Sequence, residues 1–183
     1  MSDELLVVHG APTLAGIKTA NLFSIPYEED HILRDSLCKL NKEFVSSGLR
    51  IIPMKKMDKR ILVYIYRPKQ LREDIMNEKA LSILESLGYQ YDTVEQYLQA
   101  LIHRLNQVSS FPHEIGLFLG YPPEDVEAFM GNTQACCKCI GCWKVYGDVE
   151  CAQKKFEQYK ACTKIYYNRW KLGSTIKELI VKT

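Results

Sequence analysis

Four of the seven cysteines of this 183-residue chain fall between positions 136 and 142, in the stretch QACCKCIGCWKVYGD. The arrangement is Cys136-Cys137-x-Cys139-x-x-Cys142, and thiolates at such spacing are the ligands of zinc and of iron–sulfur clusters. A structural zinc site gathers four ligands, usually from two knuckles a dozen or more residues apart. One knuckle stands here. Cys136, Cys139 and Cys142 match three positions of an iron–sulfur run, but Val145 and Tyr146 lie where the fourth cysteine would follow. Cys151 is the nearest candidate for a fourth ligand. Cys162 is eleven residues further along the same expected helix, about 16 Å away, so one ion cannot take both. The alternatives are a thiol–disulfide role for Cys139-x-x-Cys142 and plain structural thiols filling a tight turn. Zinc or iron is the cofactor class that the first reading implies.

The segment FPHEIGLFLGYPPEDVEAF carries a second candidate, His113 beside Glu114, as a ligand or a general acid/base pair. HEIGL is not HExxH, so the two-histidine arrangement of a zinc protease is absent. The same segment follows a helix-turn-helix register superficially. Its second helix would present Pro123, Glu124, Asp125 and Glu127 to DNA, and acidic groups against phosphates are electrostatically wrong. DNA binding through 113–129 is therefore disfavoured, and the segment reads as a helical corner with Ile115, Phe118, Leu119, Val126 and Phe129 in the core. A third candidate is the basic face of the last long helix. There Lys160, Lys164 and Arg169 lie near Tyr167 and Trp170, a combination that could meet RNA or an acidic protein partner. Lys154, Lys155 and Lys171 extend that face, while Glu150 and Glu157 dilute it.

The elements that must position these residues are legible in part. EEDHILRDSLCKLNKEFVSSG places Leu33, Leu37, Leu40 and Phe44 on one stripe and stops at Gly48, which predicts an amphipathic helix. LRIIPM and RILVYIYR, separated by KKMDK, predict a hairpin with Ile61, Val63 and Ile65 on one face and Leu62, Tyr64 and Tyr66 on the other. Because both faces are apolar or aromatic, the second strand is expected to be central. Pro68 opens a helix to about Leu87. The next is expected from Asp92, with Asp92 and Glu95 at capping-box spacing and Val94, Leu98, Leu101, Leu105 and Val108 buried. Two short helices break at Tyr121-Pro122. CWKVYG predicts one more strand, and Asp148 caps a long helix that carries Ala152, Phe156, Tyr159, Tyr166 and Trp170 on one face up to Gly173. IKELIV closes as a strand or a last helical turn. APTLAGIKTANLF, with Pro12, Gly16 and Lys18 among small residues, reads as a buried structural turn; it lacks the spacing of a phosphate loop. The expected class is α+β: a small, mostly antiparallel sheet with a central hairpin against several helices.

Composition supports an ordinary globular chain, with 46% hydrophobic and 25% charged residues and no repeat, linker or domain boundary. A net charge of +2 gives no global field to attract nucleic acid or anionic lipid. The run ILVYIY is far shorter than the ~20 residues of a membrane helix. Asp3 and Glu4 stand where a signal peptide carries basic residues, so a cytoplasmic protein with reduced thiols is expected.

APTLAGIKTANLF, ILVYIYRPKQL, FPHEIGLFLGYPPEDV, WKVYGD and GSTIKELIV, in this order, resemble domain of unknown function three-seven-nine-three, a bacterial family found mostly in anaerobic Gram-positive species. The resemblance implies a single-domain cytoplasmic protein spanning 1–183 without an assigned activity, and it transfers no catalytic residue. The CCKCIGC run is not part of it. Three functions stay open: a non-enzymatic binding protein linked to metal or redox state through Cys136–Cys142, an enzyme using His113, Glu114 and a cysteine, and a partner-binding module working through the basic helix.

Overall fold

The two β-branched runs at 50–66 pair as the alternation predicts. In the computed structural model, which describes residues 2–26, 29–107, 110–131 and 136–182, β2 (Arg50–Met57) and β3 (Arg60–Tyr66) form an antiparallel hairpin. Its register shifts between Pro53 and Lys55, where proline has no N–H to give to the ladder. A further strand, β1 (Ala20–Pro26), pairs with the other edge of β3, from Ala20 opposite Tyr66 to Pro26 opposite Arg60. The order β1-β3-β2 makes β3 central, as its two apolar faces require.

This sheet belongs to the first of two units, Met1–Lys69 with Tyr159–Thr183. Ile61, Val63 and Ile65 face a core shared with Leu6, Val7 and Leu14 of α1 (Asp3–Leu14) and with Leu37 and Phe44 of α2 (Asp30–Phe44). Cys162 and Tyr166 of α8 (Val149–Lys171) and Ile176 and Leu179 of α9 (Ile176–Leu179) complete it. On the other face of β3, Tyr64 stacks on Tyr66 with ring centroids 5.0 Å apart. The N-terminal stretch expected as a turn is instead a helix and a strand. Gly16, at φ 76°, makes the reversal between them, and the carbonyl of Pro12 accepts from the amides of Ile17 and Lys18. IKELIV takes the helical alternative, started by a capping box between Thr175 and Glu178.

Arg67 closes this unit. It is only 1% exposed, and its guanidinium donates to the carbonyls of Thr13 and Leu14, both at 2.7 Å, and of Val181 at 2.8 Å. Thr13 and Leu14 end α1, so a cation sits where the helix leaves its carbonyls unpaired and its dipole negative. Burial holds the Arg67 pKa below its ordinary value.

The second unit, Gln70–Gln158, is mostly helical. The helix expected from Pro68 to Leu87 divides into α3 (Pro68–Ile75) and α4 (Glu78–Ser86), because Asn77 caps α4 by accepting from the amides of Lys79 and Ala80. α5 (Val94–Gln107) starts later than Asp92. Its box is formed by Thr93 and Gln96, whose Oε1 accepts from the amides of Asp92 and Thr93. Val94, Leu98, Leu101 and Leu105 are buried as expected, and Val108 lies outside the described residues. α6 (Ile115–Phe118) and α7 (Pro123–Met130) form the helical corner. The strand expected in CWKVYG shortens to β5 (Lys144–Val145), paired with β4 (Cys139–Ile140). Asp148 starts α8 by accepting from the amide of Cys151. Among the described residues no helix is long and apolar enough to cross a membrane.

Candidate ligand pocket

The corner between α6 and α7 is tight because Gly116 carries no side chain: a Cβ there would stand 2.7 Å from Cγ2 of Val126 and 3.2 Å from the Tyr121 ring. Gly120 reverses the chain at φ 73°, and Pro123 occupies the first turn of α7, where its missing N–H costs nothing. Asp125, in the same turn, is 3% exposed. Its Oδ1 accepts from the amides of Tyr146 and Gly147, at 2.7 and 2.8 Å, and its Oδ2 accepts from the indole N–H of Trp143 at 2.7 Å. One buried carboxylate thus binds the β4–β5 hairpin to the helical corner, and every bond to it is charge-assisted.

Trp143 is held on three sides. Asp125 fixes its N–H, Tyr121 stacks on it at 4.9 Å, and Phe156 of α8 meets it edge-on at 4.6 Å. The hairpin turn lies over the same ring, since a Cβ on Gly141 would overlap Phe156. These constraints leave a cavity of about 250 Å³ on one side of Trp143, partly open to solvent. Its buried floor is Ile115, Gly116, Leu119, Val126, Asp125 and Trp143; Phe129 and Tyr121 form walls. Phe111, His113 and Lys144 stand exposed at the mouth. The Lys144 ammonium lies 5.0 Å from the centre of the Phe129 ring, and the His113 ring meets Phe129 edge-on at 4.8 Å. The arrangement suits a flat apolar body held inside, with polar groups met at the rim.

His113 and Glu114 lie in different surroundings. His113 faces the cavity, whereas Glu114, 3% exposed, accepts from Arg104 at 2.7 Å and from the Tyr89 hydroxyl at 3.1 Å. Burial, and then the Glu114 carboxylate, push the Tyr89 phenol well above its ordinary pKa. The Arg104 guanidinium also lies over the Tyr89 ring, so Glu114 belongs to a buried knot between α5 and α6.

The cysteines are free thiols; Cys136 and Cys142 are exposed, and Cys137 and Cys139 are half-buried. Packing of the turn therefore falls to Gly141 and Trp143 rather than to the cysteines. Cys151 lines a second cavity beside Asp148, Glu124 and Lys155, on which Tyr121 and Trp143 also border. Among the described residues no three His, Cys, Asp or Glu side chains are grouped to hold a metal ion. In the first unit, Lys160 and Lys164 line a shallow groove with Val8, Thr163 and Tyr167, and Lys171 lies over the Tyr167 ring at 4.9 Å. Arg169 is about 180° around the helix from Lys160. Its charge acts instead on Tyr166 and Glu178.

A family model matches residues 6–180, across both units and the whole pocket. The chain belongs to the family described as Protein of unknown function (DUF3793). No curated protein and no solved structure matches it. The matched span includes both segments that Asp125 joins, the helical corner and the hairpin, which line one cavity. Asp125, Trp143 and Lys144 escaped the sequence reading. An acidic residue in a first helical turn and a tryptophan in a short strand are both ordinary by themselves, and no local period links positions eighteen apart.

Proposed function

We propose that this chain is a binding protein whose second unit holds a small, flat, apolar molecule against Trp143. The observation that carries this reading is the saturated Asp125 carboxylate, which holds the indole in place before any ligand arrives. A preformed wall lowers the ordering cost of binding. Covering about 200 Å² of apolar ligand surface yields about 5 kcal/mol before association costs, which by itself supports affinities in the millimolar range. The proposal rests on this pocket rather than on metal held by Cys136, Cys139, Cys142 and Cys151. A cytoplasmic setting fits its seven free thiols. Ligand-observed NMR with 2-naphthalenemethanol on the full chain tests it: saturation transfer to the naphthyl protons, displaced by a second bicyclic compound, is expected. Absence of transfer at millimolar ligand would overturn it.

A second reading has its own observation, the groove in which Lys160 and Lys164 flank Tyr167. An acidic partner, protein or RNA, would be held there by lysines and a ring. Reversing Lys160 and Lys164 to Glu should release such a partner while Arg169→Glu, on the opposite helix face, should not; equal release by both sets would count against the groove.

A further inference from the structure

We propose that the molecule taken by this pocket is an aromatic carboxylate, with its ring on Trp143 and its acid group between Lys144 and His113. The inference rests on the pocket reading above and names the ligand class for that site. Three observations carry it. The interior is lined by apolar and aromatic groups, whereas the two basic side chains stand at the rim, each against the Phe129 ring. A ligand that fills the interior therefore brings its outer end to a base.

Four other bases of this unit are engaged, and Arg72, His103 and Lys155 do not line this cavity. Lys79 pairs with Glu127 at 2.9 Å, Arg104 with Glu114 at 2.7 Å, Lys154 with Glu150 at 2.6 Å, and Lys138 donates to the Gly147 carbonyl at 2.9 Å. Among the described residues the Lys144 ammonium has no carboxylate partner, and the His113 ring makes no side-chain hydrogen bond. These two groups are thus available to a ligand.

The carboxylate in the lining, Asp125, does not cancel them. It is buried under Trp143 and already accepts three hydrogen bonds, so its charge is met within the protein. A carboxylate is the anion that fits, because its oxygens offer acceptors to an ammonium or an imidazole N–H at the rim while the ring stays in the cavity.

The test measures the affinity of the full chain for 2-naphthoate and for the neutral 2-naphthalenemethanol by titration calorimetry at pH 7. Naphthoate is expected to bind at least ~10-fold more tightly, the scale of a charge-assisted contact. Lys144→Gln should remove most of that preference while changing the affinity for the alcohol less than ~2-fold, which also reports that the variant pocket is intact. Lys177→Gln, which removes the same charge from an exposed site in the first unit, should leave the preference unchanged. Raising salt should weaken naphthoate alone. Equal affinity for acid and alcohol, or equal effects of Lys144→Gln and Lys177→Gln, would overturn the carboxylate assignment and leave the pocket standing. Failure of both compounds to bind would overturn the pocket reading and this inference together.

Discussion

The indole N–H of Trp143 and the Oδ2 of Asp125 are 2.7 Å apart in a site where both residues are buried, and the other oxygen of the same carboxylate holds two backbone amides of the hairpin. Asp125→Ala strands one buried and two half-buried donors. We expect a loss of about 3 kcal/mol or more of stability in urea unfolding. Trp143→Phe removes one donor from an acceptor that keeps two others and should cost about 1–2 kcal/mol. A loss for Asp125→Ala no larger than for Trp143→Phe would mean that the amides of Tyr146 and Gly147 do not depend on this carboxylate.

Gly116 and Val126 are too close for any larger pair. Gly116→Ala should destabilise by about 1–3 kcal/mol through overpacking. Combining it with Val126→Ala, which removes the methyl groups that the new Cβ would meet, should give a double mutant more stable than the sum of the two single losses. Strict additivity in the cycle would remove the proposed collision.

Arg67→Lys keeps the charge but cannot serve three separate carbonyls with one ammonium in the same geometry. A loss of about 2 kcal/mol or more is expected in thermal or urea unfolding. A variant as stable as the parent would show that the carbonyls of Thr13, Leu14 and Val181 find other donors.

Cys162 differs from the exposed thiols. Burial pushes its thiol up to about 11, while Cys38, Cys136, Cys142 and Cys151 are open to solvent. Iodoacetamide followed by peptide mass mapping should label those four in the native protein and Cys162 only after unfolding. Because the folded pKa lies above the unfolded value of 9.0, the neutral buried thiol contributes fully below pH 9 and that contribution is lost as pH rises toward 11. Tyr166, raised chiefly by burial and further by Cys162, steepens the loss. Cys162→Ala should flatten the alkaline limb of the stability profile; an unchanged limb would assign it to other groups.

The fold was legible wherever burial imposed a period. β3 alternates and is apolar on both faces, α5 repeats its leucines at helical spacing, and the break at Tyr121-Pro122 is written in the residues themselves. α1 was not legible because Leu6, Val7, Gly10, Ala11, Pro12, Thr13 and Leu14 are all buried, which leaves no polar face to mark a helix. The Thr93–Gln96 box was displaced by one residue since two overlapping boxes are available in DTVEQ. His113, read as part of an acid/base or ligand pair, lines a cavity, while its chain neighbour Glu114 turns to Arg104, a partner ten positions away that no local pattern reveals. The pocket is tied together by three long-range bonds, all from Asp125 to the hairpin, and long-range bonds leave no mark on sequence spacing.

The central claim is that a small aromatic ligand is held against Trp143, and the chain supplies its own control because its other tryptophan, Trp170, lies in the first unit. Titration of the ¹⁵N-labelled protein with 2-naphthoate, followed through the two indole N–H cross-peaks, tests the claim directly. The account predicts a saturable shift of the Trp143 signal with the Trp170 signal unmoved. An unmoved Trp143 signal, or parallel non-saturating shifts of both, would contradict it.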